Sequence, residues 1–364
     1  MSFKKKRISL IVNSLSKGGA ERSNAMISRI IQELGHEITI VSVNSGVDFG
    51  YAGRYYCMEE KFIKNPFIRK FSKLLYSLNF FYSNKFDVII DARSRPTFYK
   101  TFFYKKVLYK KTPVISLVHN SNLNKSFPRK KWQARCLYKD DYIVTVSKAI
   151  TEIIKKQYAL KKVRTIYNAI QNKELEENAL LKKELPSNNY ILYYGRLSNK
   201  SKNLFFLINA YAESVLPEKN IKLILLGQGP DKLKLLNRVK ELGLEKFISF
   251  EDYTTNPMPY VKNALFTVMT SNYEGFPMTI VESLSLGTPL VTLDFVSGPS
   301  EIIETGNNGI LVKEKTIESY SKALNKMVTD EVFYANCKSN CNSSIAEFRQ
   351  EKIAKSWNEL LNDI

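Results

Sequence analysis

The chain has 364 residues, 44% hydrophobic and 25% charged, with 21 Phe, 21 Tyr and four Cys, which fits two domains with ordinary cores and excludes both a disordered chain and a disulfide scaffold. Its formal net charge is +20, and that charge is unevenly placed: residues 1–180 carry 34 basic and 14 acidic side chains, residues 181–364 carry 21 of each. The whole basic excess therefore belongs to the first half.

The run Ile8–Val12 is broken by Asn13 and Ser14, so it reads as a strand and is too short for a signal-peptide core or a membrane span. No later window reaches the roughly 18 apolar residues that spanning needs. A cytoplasmic protein with reduced cysteines is the expectation. Short β-branched runs then alternate with helical patterns. Strands are expected near Ile8–Asn13, Glu37–Val43, Val88–Asp91, Pro113–His119 and Tyr142–Val146, and again near Tyr190–Tyr194, Ile221–Leu226, Ile248–Phe250, Leu265–Met269 and Pro289–Leu293. Helices are expected at Glu21–Leu34, Asn203–Ser214, Pro230–Leu242 and Met278–Leu286. Alternation of this kind predicts an α/β fold, with parallel sheets covered by helices on both faces. The expected division is a first domain over 1–170, a polar linker over 171–189, a second domain over 190–344, and a terminal helix over 345–364 packing back on the first domain. Cys337 and Cys341, four apart on a helix, lack a nearby His or further Cys to complete a metal site and read as packing residues.

Ligands of open parallel sheets bind beyond the carboxyl ends of the strands, so motifs placed just after strands carry most weight. Gly18-Gly19 follows the first strand and opens a helix, where backbone could approach an anion, although a plain turn is the ordinary alternative. His119 follows the fourth expected strand; a lone His is usually structural, but this one sits on the ligand side. Gly195 turns the chain out of a strand, and Arg196 and Lys202 then offer a fork and a point charge suited to a diphosphate, with Lys200 as a weaker rival and a solvated basic loop as the alternative. Glu274 precedes a helix start, Gly275, Phe276 and Pro277 turn the chain, and Glu282 projects from the second turn. A ligand across that N-terminus could place phosphates on free N–H groups and hydroxyls on each carboxylate. A capping Glu and a surface Glu would give the same pattern.

Gly195-Arg196-Leu197 with Lys202-Asn203, Leu226-Gly227-Gln228-Gly229-Pro230, Glu274-Gly275-Phe276-Pro277 with Glu282, Gly298-Pro299-Ser300-Glu301 and Gly309-Ile310-Leu311-Val312 together resemble the retaining glycosyltransferases of family 4. The likeness is dense over about 190–312 and thinner earlier, where it rests on Gly18-Gly19-Ala20-Glu21, His119, Val146-Ser147 and Asn168-Ala169-Ile170. Asn168-Ala169-Ile170-Gln171 departs from the commoner Asn-Gly-Ile/Val-Asp form. The resemblance implies a GT-B fold, two Rossmann-like domains facing across a cleft. It implies that Glu282 binds the ribose of a nucleotide sugar, that Glu274 faces the donor sugar, and that Arg196 and Lys202 neutralise the leaving diphosphate. Backbone at Gly19 and at Gly275 to Pro277 would assist them, and His119 would reach the sugar from the acceptor side. The loop Phe250 to Tyr253 would hold the base. No Asp-x-Asp occurs, so no metal and no cofactor is expected; the donor, with UDP as the expected nucleotide, is a substrate.

The basic excess is interleaved with aromatics in three stretches, from Lys61 to Tyr76, from Tyr99 to Lys111 and at Arg129-Lys130-Lys131-Trp132. Each also fits a helix with core aromatics and solvated lysines. Together they point to an anionic membrane surface, with Lys105, Lys106, Lys110 and Lys111 facing it. Nucleic acid is disfavoured because no recognition motif accompanies the charge. The expected protein is a peripheral enzyme on the inner face of the cytoplasmic membrane, transferring a sugar to a lipid-linked saccharide in lipopolysaccharide, capsule or related glycan synthesis. A transferase with a soluble acceptor and a catalytically silent sugar-nucleotide sensor are the alternatives.

Overall fold

A computed structural model describes residues 4–16, 18–61, 66–181, 185 and 189–364, with backbone alone over 66–70. The chain divides into two compact units, Met1–Ala169 with Gln350–Ile364, and Ile170–Arg349.

The first unit runs β1 (Arg7–Val12), α1 (Gly19–Glu33), β2 (Glu37–Ser42), β3 (Arg54–Cys57), α2 (Pro66–Ser83), β4 (Val88–Asp91), α3 (Phe98–Phe103), β5 (Val114–Val118), α4 (Lys131–Tyr138), β6 (Tyr142–Thr145), α5 (Lys148–Tyr158) and β7 (Val163–Thr165). Its seven parallel strands lie in the order β3-β2-β1-β4-β5-β6-β7. Four central strands are almost wholly buried, as expected of strands covered on both faces. The strand order reverses between β1 and β4.

The second unit runs α6 (Asn172–Ala179), β8 (Tyr190–Tyr194), α7 (Asn199–Lys202), α8 (Leu204–Ala212), β9 (Lys222–Leu226), α9 (Lys232–Glu241), β10 (Ile248–Glu251), α10 (Met258–Asn263), β11 (Thr267–Met269), α11 (Met278–Ser285), β12 (Leu290–Leu293), α12 (Pro299–Ile302), β13 (Gly309–Val312), α13 (Ile317–Thr329) and α14 (Glu331–Ser344). Six parallel strands lie in the order β10-β9-β8-β11-β12-β13, reversing between β8 and β11. The last helix, α15 (Gln350–Asn362), belongs to the first unit: Ile353, Trp357, Leu360 and Leu361 repeat at helical spacing and are buried with the β1 and β2 core.

Three strands, β3, β7 and β13, are additional to those expected from the sequence. All three are sheet edges of three or four residues; β3 and β7 carry charged or polar residues that weaken the apolar signal, whereas β13 is apolar but only four residues long. The expected linker also needs correction. Within 171–189 lies the helix α6, which buries Leu175 and Ala179 and is tied down by Asn256, whose Nδ2 donates to the Asn178 carbonyl at 2.8 Å. Its Glu-rich outer face hid this apolar pair. The remainder of that stretch, 182–184 and 186–188, lies outside the described residues, as do Lys17 and residues 62–65 of the first basic-aromatic stretch. Cys337 and Cys341 are buried on α14, and the Cys341 thiol donates to the Cys337 carbonyl at 3.1 Å.

Counted by unit, the charge split widens. The first unit has 35 basic and 14 acidic side chains, the second 20 and 21. Among the described residues no helix is long and apolar enough to cross a membrane.

Candidate active site

In the second unit the loops after β8 and β11 leave neighbouring strands at the point where strand order reverses, which is where a parallel sheet opens a crevice. The β8 loop is held by close backbone contact. Gly195 has φ +149, and its N–H donates to the Leu226 carbonyl at 3.0 Å. A Cβ on Gly227, which has φ +143, would lie 2.0 Å from the Gly195 carbonyl oxygen, so the Gly227 turn packs against the Gly195 backbone only because residue 227 is glycine. Asn203 takes a left-handed conformation that ends α7 and starts α8.

The β11 loop is stitched to this one. The Thr270 hydroxyl donates to the Lys202 carbonyl at 2.9 Å, and Asn272 donates from its backbone to Ser201 at 2.9 Å and from its side chain to Lys200 at 3.1 Å. The stitching brings Lys202 and Glu274 together as an ion pair, each about one-fifth exposed. The Ser271 hydroxyl donates to the same Glu274 carboxylate oxygen at 2.8 Å, and Ser297 donates to the Glu274 carbonyl at 2.6 Å. Beneath them, burial and the Glu274 charge push the Tyr193 phenol above its ordinary range. The Gly298 loop closes over this turn: a Cβ there would meet the Pro277 ring at 2.4 Å.

Glu282 lies on α11 and is buried, with the Tyr194 hydroxyl 3.3 Å from its carboxylate. Glu274 stands ahead of that helix, so the two carboxylates occupy different places along its N-terminal end. Pro277 is the residue at the helix N-cap position and has no N–H, which limits backbone donors in the preceding turn to Gly275 and Phe276. Phe276 is buried, its ring 5.5 Å from Phe348. Arg196 is exposed, and its carbonyl accepts from the Tyr193 hydroxyl at 2.9 Å. Lys200 is exposed and contributes its carbonyl to the stitching. Of the stretch expected to form a loop, Phe250 lies within β10 and packs on the core, while Tyr253 follows the strand and is exposed.

In the first unit, Gly18 is the extended N-cap of α1 with the Glu21 carboxylate lying against it, and a Cβ on Gly19 would meet nothing within 4 Å, so open space lies beside Gly19 alone. His119, just past β5, is half-buried, and its Nε2 lies 3.1 Å from Oδ1 of Asn24 on α1. Burial lowers its pKa to about 4, so the neutral ring donates to Asn24 and keeps Nδ1 as an acceptor. Asn168 is fastened to α1 by Ser23, whose hydroxyl donates to its Oδ1 at 2.5 Å.

One assignment is corrected. Lys105 is not a surface lysine: its side chain is 12% exposed, its ammonium pairs with Asp141, and it lies 4.6 Å from the centre of the Tyr138 ring. The turn Tyr104–Leu108 is a π-helix, which changes the side-chain phase that a regular α-helix would give. Lys106, Lys110 and Lys111 are exposed.

Sequence reasoning also passed over a buried cluster after β4. Asp91 is fully buried and accepts two hydrogen bonds from the Arg93 guanidinium, at 3.0 and 2.9 Å, one from the Arg93 backbone N–H at 3.2 Å, and one from the Tyr109 hydroxyl at 2.7 Å. Arg95 forms a further ion pair with it. Burial alone would favour the neutral acid, but the two guanidiniums hold its pKa far below the usual carboxylate range. A strand ending in Asp91-Ala92-Arg93-Ser94-Arg95 was the available signal.

Two family descriptions match the chain: "Glycosyltransferase Family 4" over residues 17–173 and "Glycosyl transferases group 1" over residues 174–343. The chain belongs to glycosyltransferase family 4. Among its curated relatives is the N-acetylgalactosamine-N,N'-diacetylbacillosaminyl-diphospho-undecaprenol 4-alpha-N-acetylgalactosaminyltransferase of Campylobacter jejuni, 27% identical over 96% of this chain and 97% of that one. The amylovoran biosynthesis glycosyltransferase AmsD of Erwinia amylovora is 24% identical over 98% and 99%. HepE of Anabaena, crystallised with UDP and glucose, superposes with a TM-score of 0.78 at 18% identity, over 99% of this chain and all of that one, which establishes the shared GT-B fold.

Proposed function

We propose that this glycosyltransferase is a retaining, metal-independent enzyme of bacterial surface-glycan synthesis that takes a UDP-linked sugar as donor and a lipid-linked saccharide as acceptor. The observation that supports the donor half of this reading is the Lys202–Glu274 ion pair between the loops that leave β8 and β11 at the strand-order reversal of the second sheet, with Glu282 buried on the following helix beside Tyr194 of β8. Lys202 and the exposed Arg196 supply positive charge where a departing diphosphate gains negative charge, and fixed charges accelerate a step when placed where charge develops. The N–H groups of Gly275 and Phe276 and the α11 start add backbone donors. Glu282, buried beside Tyr194, accepts the ribose hydroxyls, Glu274 those of the sugar, and exposed Tyr253 stacks on the base. In the first unit, His119 serves the sugar through its free Nδ1, and Gly18-Gly19 offers backbone to the phosphates.

The acceptor half rests on the names of the Campylobacter and Erwinia relatives together with the strongly basic first unit. The exposed Lys106, Lys110 and Lys111 and the exposed aromatics Tyr99, Phe102 and Trp132 support an anionic membrane surface as partner, and the location in this reading is the inner face of the cytoplasmic membrane. Incubation with UDP-sugars and a prenyl-diphosphate-linked saccharide, with NMR of the product linkage and chelator added, tests the whole reading. Inversion at the anomeric carbon, dependence on a divalent ion, or transfer only to soluble sugars would each refute the corresponding part.

A further inference from the structure

The helix that carries Glu282, α11, has eight residues, fewer than the roughly 12–15 at which a helix is stable by itself, so its place is set by what packs on it. Both of its ends are gripped by one stretch of chain, residues 342–349, which runs from the last turn of α14 to the end of the second unit. At the C-terminal end, the Asn342 side-chain amide donates to the Ser285 carbonyl at 3.0 Å, satisfying one of the carbonyls that a helix end leaves over. That amide is itself oriented, because Nη2 of Arg349 donates to Oδ1 of Asn342 at 2.8 Å.

At the other end the grip is aromatic. The buried Phe276 ring lies 5.5 Å from the Phe348 ring at an interplanar angle of 47°, within the range at which such pairs attract. Phe348 is fixed in its turn: it is buried, it closes the tight turn Ala346–Phe348, and its carbonyl accepts from the Ile170 N–H at 2.9 Å. The Phe276 ring and the Phe276 N–H hang from one Cα, so the seat of the ring decides where the N–H lies.

We propose that Asn342 and Phe348 are positioning residues, the two jaws of a clamp that sets α11 and the Gly275–Phe276 turn at the spacing a nucleoside diphosphate requires. Phe348 places the N–H groups of the turn for the phosphates, and Asn342 keeps α11, and with it the Glu282 carboxylate, in line with the ribose. Neither needs to touch the nucleotide: a misplacement of about 1 Å is enough to cost about 10²-fold. The proposal rests on the donor reading above.

Calorimetry with UDP and amide hydrogen exchange over residues 275–285 test it on the whole protein, at a temperature where every variant is folded. Phe348→Leu, which keeps an apolar side chain but removes the ring, and Asn342→Ala are each expected to weaken UDP binding by about tenfold and to speed that exchange. Cys337→Ala truncates a buried side chain of the same helix that faces Gly309 instead, and should lower the melting temperature while leaving UDP affinity and the exchange over 275–285 unchanged. Phe276→Leu combined with Phe348→Leu should weaken UDP no more than the stronger single change, as for two partners in one contact. UDP affinity unaltered in both Phe348→Leu and Asn342→Ala, or weakened equally by Cys337→Ala, overturns the proposal; an effect in only one of the two removes the other jaw. Failure of the unmodified protein to bind UDP refutes the donor reading instead. The exchange needs no nucleotide and then decides the clamp: faster rates over 275–285 in both variants support it, and rates equal to those of the unmodified protein overturn it.

Discussion

Lys202→Ala is the perturbation that bears most directly on the proposed donor site. Lys202 and Glu274 are each about one-fifth exposed, between the surface case, where a pair contributes about 0–1 kcal/mol, and the buried case, where removing one partner costs about 3–5 kcal/mol. Glu274 keeps the Ser271 hydroxyl after the change, so a stability loss of about 1–2 kcal/mol is expected, a fall of about 3–6 °C in the melting temperature of a unit this size. Activity should fall much further. If Lys202 serves a departing diphosphate as proposed, its loss is expected to lower kcat by about 10²–10³-fold, about 3–4 kcal/mol of transition-state stabilisation. Steady-state kinetics at a temperature where both proteins are folded separates the two effects. The double variant Lys202→Ala with Glu274→Ala supplies the control: a pair that serves only to hold two loops together would make the second change nearly silent. Two groups that each touch the donor would instead give losses that accumulate. Turnover that falls no more than stability, with a silent second change, would refute the diphosphate role.

His119 offers a pH test. Its folded pKa of about 4 lies below the ordinary 6.5, so the unfolded chain takes up a proton first and stability declines as pH falls from about 6.5 towards 4, by up to about 3 kcal/mol. Urea unfolding at pH 7 and pH 4.5 should show a shallower decline in His119→Asn than in the unmodified protein; identical slopes would contradict a buried neutral ring. Asp91→Asn leaves two buried guanidiniums without their carboxylate and should destabilise by about 3–5 kcal/mol, measured by denaturant unfolding, where a change below about 1 kcal/mol would mean the cluster is solvated. Gly227→Ala drives a methyl into the Gly195 carbonyl and should cost about 3 kcal/mol with weaker UDP binding, checked by thermal shift with and without UDP. Replacing Lys106, Lys110 and Lys111 together with Gln should reduce co-sedimentation with anionic vesicles while leaving UDP affinity unchanged; sedimentation equal to that of the unmodified protein would remove this face from the membrane reading.

Much of the donor half was legible in the linear chain because its parts are local. Gly195, Glu274 and Glu282 sit at fixed offsets from strand ends and helix starts, and buried parallel strands announce themselves as runs of Ile, Leu and Val. The sequence by itself therefore determined two parallel-sheet units, the turns that end their strands and the concentration of positive charge in one of them. What it could not determine was pairing across distance. Whether Lys200 or Lys202 meets Glu274 depends on how two loops 72 residues apart are stitched, and whether Lys105 is a surface charge depends on Asp141, which lies 36 residues away and beside a different strand. The same applies to Asp91 and its two arginines: strand order placed that turn at the reversal of the first sheet and opened a cavity beside it. A charge count is a property of composition, but whether each charge is solvated, paired or waiting for a ligand is set by desolvation and by neighbours that only the packed chain brings together.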